Sequence, residues 1–353
     1  MDTLNIKDIA KICGVGVSTV SRAINNHPDI NEETKNRILE VIRENHYIPN
    51  NSARNLKRSV SKTIAVLIKG IDNPFFYSML RIFEEEIQKK RYSFLLHRVE
   101  EAEDEVDVAI ELIKEKRLKG IIFLGGHFCQ NKEKLEQLDI PFVLSTVANT
   151  DTMQNSFLSC VSVDDFQESY KMVDHLCSLG HRRIGILAAT PQDESIGRLR
   201  LEGYRRALMD HGIQYDPAWC FYSPEHVNWY TMANGYSLMK KLMASGQNLT
   251  AVFAISDSIA IGACKAVFDA GKSVPEDYSI AGFDGLDMAH YYNPAITTIH
   301  QPVEEMAYET IRILFEQLKS RNPEQRTNQQ KIFQARLVEG QSTKRIDLSL
   351  IHI

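Results

Sequence analysis

From residue 63 onward, apolar runs of four to six residues alternate with stretches of helical period, and this alternation constrains the fold more than any other feature. TIAVLIK (63–69), FLLH, GIIFL, PFVLS and SCVSV read as strands, with helices expected over 76–90 and 104–117. A second set begins with a helix over 166–179 and continues through RIGILA, a helix over 199–211, AVFAI, a helix over 258–270 and SIAGF. Short apolar strands separated by helices form parallel βαβ units. There are too many for one compact sheet, which predicts two doubly wound lobes. PAITTIHQP and a helix over 303–318 suit the chain crossing back between lobes, and IFQARLV reads as a last strand.

The first sixty residues have a different pattern. In IKDIAKICGVGVSTVSRAIN (6–25), Ile6, Ile9 and Ala10 form one apolar stripe and Val17, Val20, Ala23 and Ile24 a second, separated by Gly14 to Gly16. Two short amphipathic helices joined by such a turn form a helix-turn-helix, whose second helix can enter the DNA major groove. By periodicity alone, a plain helical pair fits equally well. A third helix is expected after Asn31, a suitable N-cap, with Glu32 and Glu33 at the positive end of its dipole and Ile38, Val41 and Ile42 on its apolar face. Residues 49–63, PNNSARNLKRSVSKT, read either as a slightly basic linker or as a short helix that folds on DNA, with Leu56 as an apolar wedge.

Charge distribution agrees with this division. Residues 1–62 hold ten Lys/Arg and seven Asp/Glu, a net of +3, on a chain whose net charge is −5. A basic headpiece on an acidic body suits DNA contact by the headpiece alone. The six cysteines are scattered and never form CxxC, which fits a reducing cytoplasm and argues against a disulfide framework or zinc knuckle. No basic n-region precedes an apolar run at the start, and no stretch approaches the roughly 18 apolar residues of a membrane helix, so neither secretion nor a membrane partner is expected.

With these pieces in order, IKDIAKICGV, STVSRAINN, TKNRILEVIRENHYIPN and ARNLK, the headpiece resembles that of the lac-repressor/galactose-repressor family of bacterial transcription regulators. The resemblance implies that Val17 and Ser18 face base edges, that Thr19 and Ser21 approach the backbone, and that Arg22 reaches a base, most simply guanine. It places Ile6, Asn25, Tyr47, Asn50, Ala53 and Lys57 at the duplex and makes Leu56 the minor-groove lever of a hinge helix. Gly16 stands where the family usually has Ser, a tolerated cap that forgoes a side-chain phosphate contact. Val17, being apolar, suits a thymine methyl.

The body is similar to the family's periplasmic-binding-protein-like effector region, through DNPFF (72–76), LGHRRIGIL (179–187), RLRLEGYRRAL (198–208), SDSIAIGACKAV (256–267), SIAGFDG (279–285) and PAITTIHQP (294–302). The resemblance implies a ligand cleft between the lobes. Arg200 would fork onto ligand hydroxyls or a carboxylate, and Asp284 would accept from hydroxyls. Phe76, Trp229 and Tyr230 either stack on a ligand ring or pack against a lobe face. Ser145 stands where many sugar-responsive members have Asp, Ser256 where Asn is frequent, and Lys69 ends the first strand. Fewer hydroxyl acceptors, with Lys69 and Arg200 present, suit an anionic ligand better than a simple neutral sugar. Asp257 is expected to N-cap the helix after it.

Rival classes lack support. There is no GxGxxG after a strand, no GxxxxGK[ST], no GxSxG and no HExxH, so no cofactor and no enzymatic activity are expected. His127 and Cys129 lack a second ligand pair, so no metal is expected either. A solute-binding protein would share the body fold but not the headpiece. The expected organisation is a small all-α helix-turn-helix headpiece over 1–48 and a hinge over 49–62. An α/β effector region follows over 63–342, with one lobe at 63–160 and 294–325, the other at 161–293 and 326–342, and a tail over 343–353. By resemblance the chain is a homodimeric regulator, most simply a repressor of carbohydrate-related genes, reading a pseudo-palindromic operator under control of a sugar or sugar derivative.

Overall fold

The computed structural model describes residues 5–24, 27–45, 62–100, 103–126, 132–135, 137–147, 158–224, 228–320 and 327–346. The chain divides into two compact units, residues 1–60 and 61–353.

In the smaller unit, α1 (Ile6–Ile12), α2 (Val17–Ile24) and α3 (Glu32–Glu44) enclose Ile9, Ala10, Cys13, Val20, Ala23 and Ile38. Asn31 caps α3 as expected, accepting from Glu33 N at 2.8 Å. The start of α1 is fixed by a capping box: Asn5 Oδ1 accepts from Asp8 N at 3.4 Å and also from Lys7 N at 2.9 Å, and Asp8 Oδ2 accepts from Asn5 N at 2.8 Å. The turn between α1 and α2 uses Gly14 at φ +61°, and Arg37 of α3 donates to the Cys13 carbonyl at 3.3 Å. Residues 49–61 of the expected hinge fall outside the described residues.

The first lobe of the larger unit runs β1 (Thr63–Ile68), α4 (Phe75–Lys89), β2 (Ser93–Arg98), α5 (Glu105–Lys116), β3 (Gly120–Leu124), α6 (Lys132–Leu135), β4 (Phe142–Ser145) and β5 (Cys160–Val163). The second runs α7 (Asp165–Ser178), β6 (Ile184–Ala188), α8 (Ile196–Asp210), β7 (Cys220–Tyr222), α9 (Met232–Ala244), β8 (Ala251–Ala254), α10 (Asp257–Asp269), β9 (Ser279–Ala281), α11 (Asp287–Tyr291) and β10 (Thr298–His300). The chain ends with α12 (Val303–Lys319), β11 (Gln330–Phe333) and β12 (Arg336–Val338).

Two parallel sheets result, ordered β2-β1-β3-β4-β5-β11 and β7-β6-β8-β9. Alternate residues of a strand face opposite sides, so one apolar run serves two cores. Ile64, Val66 and Ile68 join α4, while Ala65 and Leu67 pack with Val106, Ala109 and Leu112 of α5. Covering both faces is why β1 is apolar from Ile64 to Ile68.

The lobe boundaries differ from expectation. β5 pairs with β4, so the first lobe extends to Val163, and β10 lies beside the second sheet through bridges at Ala281–Thr297 and Asp284–His300. IFQARLV is two strands rather than one: β11 pairs with β5, and β12 pairs antiparallel with β10. The chain therefore passes between lobes at Asp164–Asp165, Gln301–Pro302 and Gln334–Ala335. Residues 343–346 are also not a free tail. Thr343 Oγ1 bonds Thr297 Oγ1 at 2.8 Å, and Ile346 N donates to the Leu179 carbonyl at 2.7 Å.

Candidate functional site

On the headpiece, α2 buries Val20 and Ala23 and leaves Val17, Ser18 and Arg22 exposed, with Thr19 and Ser21 half-buried. An exposed Val at the start of a helix is a poor choice for water and a good one for a thymine methyl. Ile6 packs against the headpiece core. Asn25, Tyr47, Asn50, Ala53, Leu56 and Lys57 lie outside the described residues.

In the larger unit, a cleft of about 200 Å³ lies between the lobes at the carboxyl ends of the strands. Lys69 and Gly70 follow β1, Asn73 precedes α4 and Phe76 lies in its first turn, and Gly125 and Gly126 follow β3. The second lobe supplies Gln192 to Ile196 after β6 and Asn228 to Tyr230 after β7. Asn73 Oδ1 accepts from Phe75 N at 3.1 Å, fixing the first turn that carries Phe76. Asn234 Nδ2 donates to the Trp229 carbonyl and to Ser223 Oγ, both at 2.7 Å, and so fixes the loop that carries Trp229 and Tyr230. Asn228 Nδ2 donates to Asp72 Oδ2 at 2.6 Å, a direct bond from lobe to lobe.

Arg200 does not line this cleft. It is 1% exposed, donates through Nε to Asp165 Oδ1 at 2.8 Å and through Nη1 to the Ile255 carbonyl, and lies 3.6 Å from Asp284 Oδ1. Its guanidinium covers the Phe283 ring at 3.7 Å. Burial opposes the Arg200 charge, yet Asp165 and Asp284 hold its pKa above the ordinary range. Burial pushes the Asp165 and Asp284 carboxyls up, and Arg200 pulls both back. Arg200 thus joins the first crossing, at Asp165, to the ends of β8 and β9. Asp284 sits at φ +121°, a costly conformation for a side-chain-bearing residue. Its Oδ1 accepts from Gln301 Nε2 at 3.0 Å, while Oδ2 is buried without a donor. Asp284 opens instead on a larger groove of about 830 Å³, lined also by Phe75, Met288 and Arg336.

Lys69, Phe76, Trp229 and Tyr230 are therefore brought together, and Arg200 and Asp284 are paired with each other behind them. Trp229 Nε1 is buried without an acceptor. Burial and then Asp193 push the Tyr230 hydroxyl above its ordinary range. Ser145 is fully buried and bonds Thr310 Oγ1 of α12 at 3.1 Å. Ser256, not Asp257, caps α10, accepting from Ile259 N at 3.3 Å. Asp257, one residue later, instead accepts from Gly285 N, Leu286 N and Thr298 Oγ1. The two cations expected to meet an anionic ligand already face carboxylates, since Lys69 Nζ lies 3.5 Å from Glu105 Oε1. Asp165, Glu105 and Asp193 carry no motif of their own, although Asn73 sits in DNPFF beside Phe76. Among the described residues, no three His, Cys, Asp or Glu side chains are grouped to hold a metal ion, and no helix is long and apolar enough to cross a membrane.

A helix-turn-helix unit followed in the chain by a two-lobed α/β receptor with an interlobe cleft defines a ligand-responsive, DNA-binding transcription regulator. The model of "Bacterial regulatory proteins, lacI family" matches residues 5–50, and that of the "Periplasmic binding protein-like domain" matches residues 173–343. The HTH-type transcriptional regulator MalR of Clostridium butyricum is 40% identical over 314 residues, 88% of this chain and 92% of that protein. Among solved structures, the transcriptional regulator CelR–cellobiose complex superposes with TM-score 0.68 at 25% identity, covering 96% of this chain and 99% of that one. A LacI family transcriptional regulator from Enterococcus faecium with bound ribose gives 0.69 at 28%, covering 81% and 100%. The chain belongs to the lacI family of bacterial regulatory proteins.

Proposed function

We propose that this chain is a homodimeric repressor of carbohydrate-related genes in the cytoplasm, whose interlobe cleft takes a sugar or sugar derivative. The observation that carries the reading is the meeting of Phe76, Trp229 and Tyr230 from opposite lobes in one cleft at the strand ends. Aromatic faces suit the apolar faces of a pyranose or furanose ring, and a ligand held by both lobes favours their closed arrangement. Cellobiose and ribose in the two similar structures agree with a sugar. Arg200 and Asp284 are not contacts of this ligand; through Asp165 and Gln301, which sit at two crossings, they couple closure of the lobes to the segments that join them. Val17, Ser18 and Arg22 read the operator, and Leu56 enters the minor groove at its centre.

The test is selection of duplexes from a random pool by the purified chain, followed by titration at two salt concentrations with and without a panel of neutral and phosphorylated sugars. Sequence-selective, salt-dependent binding that one sugar alters in affinity is the expected result. Failure to select any sequence overturns the regulator reading, and indifference to every sugar overturns the effector reading.

A further inference from the structure

We propose that Glu105 determines effector specificity by cancelling the charge of Lys69, restricting the cleft to uncharged sugars. This rests on the reading of the cleft as the sugar site. Lys69 is the only Lys, Arg or His lining the cleft among the described residues, and it is 7% exposed. Its Nζ donates to the Glu103 carbonyl at 3.0 Å and lies 3.5 Å from Glu105 Oε1. Glu105, the first residue of α5, is also 7% exposed, and its Oε1 accepts no hydrogen bond. Gly126 is what lets this carboxylate come so near the cleft. A Cβ there would stand 2.4 Å from Glu105 Oε1, and the residue has φ +81°.

The cation and the carboxylate therefore lie together at the first-lobe wall, with a local charge of zero. The opposite wall adds Asp193 and Glu194. A phosphoryl group entering the cleft meets an ammonium already neutralised by Glu105, so the attraction that a lone Lys69 would supply at this partly desolvated site is cancelled. A neutral hydroxyl meets the reverse: carboxylates accept from it, and Lys69 can donate to its oxygen. The ammonium that marks the sequence as suited to an anion is thus turned by Glu105 into part of a polyol site.

Calorimetry on the full chain and on Glu105→Gln tests this, using glucose, ribose, maltose and cellobiose beside glucose 6-phosphate and ribose 5-phosphate. The native chain is expected to bind at least one neutral sugar roughly 10-fold or more tighter than either phosphate. E105Q is expected to raise phosphate affinity by about 10-fold relative to the neutral sugar, and the double variant K69Q/E105Q to lose that gain. A native preference for phosphate, or an unchanged ratio in folded E105Q, overturns the proposal while leaving the sugar cleft standing. Binding of none of these probes overturns the sugar reading and this inference with it. Should E105Q fail to fold by circular dichroism, Glu105→Ala is measured for the same ratio, and the native preference decides independently.

Discussion

Replacing Arg200 by Ala removes the cation between two fully buried carboxylates. Asp165 loses its 2.8 Å donor, and Asp284 loses a guanidinium 3.6 Å away while keeping only the amide of Gln301. Breaking a buried ion pair from one side costs about 3–5 kcal/mol, because a charge remains without compensation. With an unfolding entropy of about 2.1 cal/mol/K per residue over the roughly 290 residues of the larger unit, that corresponds to about 5–8 °C in Tm near neutral pH. The deficit has a characteristic pH dependence. Burial already holds both carboxyls above their ordinary range, and losing Arg200 raises them further. The folded variant then binds protons at a pH where its unfolded chain has released them, so its stability rises as pH falls. The deficit relative to the native chain is therefore full in mildly alkaline buffer and shrinks toward pH 5. Thermal melts by circular dichroism across that range measure it, with calorimetry reading effector binding in parallel. A deficit independent of pH would refute the electrostatic argument, and native sugar affinity in R200A would remove Arg200 from the effector response.

Four further outcomes are expected. Asn5→Ala breaks the capping box and costs the headpiece about 1 kcal/mol, read by amide exchange in α1; unchanged protection would discount the cap. Trp229→Phe weakens sugar binding roughly 3- to 10-fold, and sugar-dependent tryptophan emission survives Trp219→Phe but not W229F; equal responses in both variants would separate Trp229 from the ligand. Burial pushes the Asp257 carboxyl up to about 7 against its donors Thr298, Leu286 and Gly285. The proton held in the folded state makes its contribution to stability fall as pH rises from about 4 to 7, so Asp257→Asn gains in Tm relative to the native chain across that window; a flat difference argues against it. Leu56→Ala lowers affinity for a selected duplex while sugar binding stays native; an undiminished footprint would dismiss the hinge lever.

The architecture was legible where the pattern is local or periodic. Asn31 before two glutamates marks a helix start because the cap acts within three residues, and Val20 and Ala23 mark the buried face of α2 by spacing, whereas Val17, on the same stripe by period, is left exposed at the start of the helix. Within TIAVLI, the five apolar residues Ile64 to Ile68 run without alternation, as expected of a strand covered on both sides. The signal failed where the partner is remote. Ser256 and Asp257 are both plausible caps by composition, and the choice is made by Gly285, Leu286 and Thr298, which claim the Asp257 carboxylate. Nothing in IFQARLV shows that its halves join different sheets, since pairing partners, not side chains, impose the break at Gln334–Ala335.

By itself, then, the sequence determined the three-helix headpiece, the alternation of strand and helix, and the family, because capping, turn formation and hydrophobic period act over a few residues. Only the tertiary structure decided what the charged side chains do. Lys69 meets Glu105 across 36 positions, and Arg200 meets Asp165 and Asp284 across 35 and 84, so a cation that reads as free in the chain is neutralised in the fold. Charge is a property of the side chain, but its effect on a ligand depends on neighbours that only folding brings near.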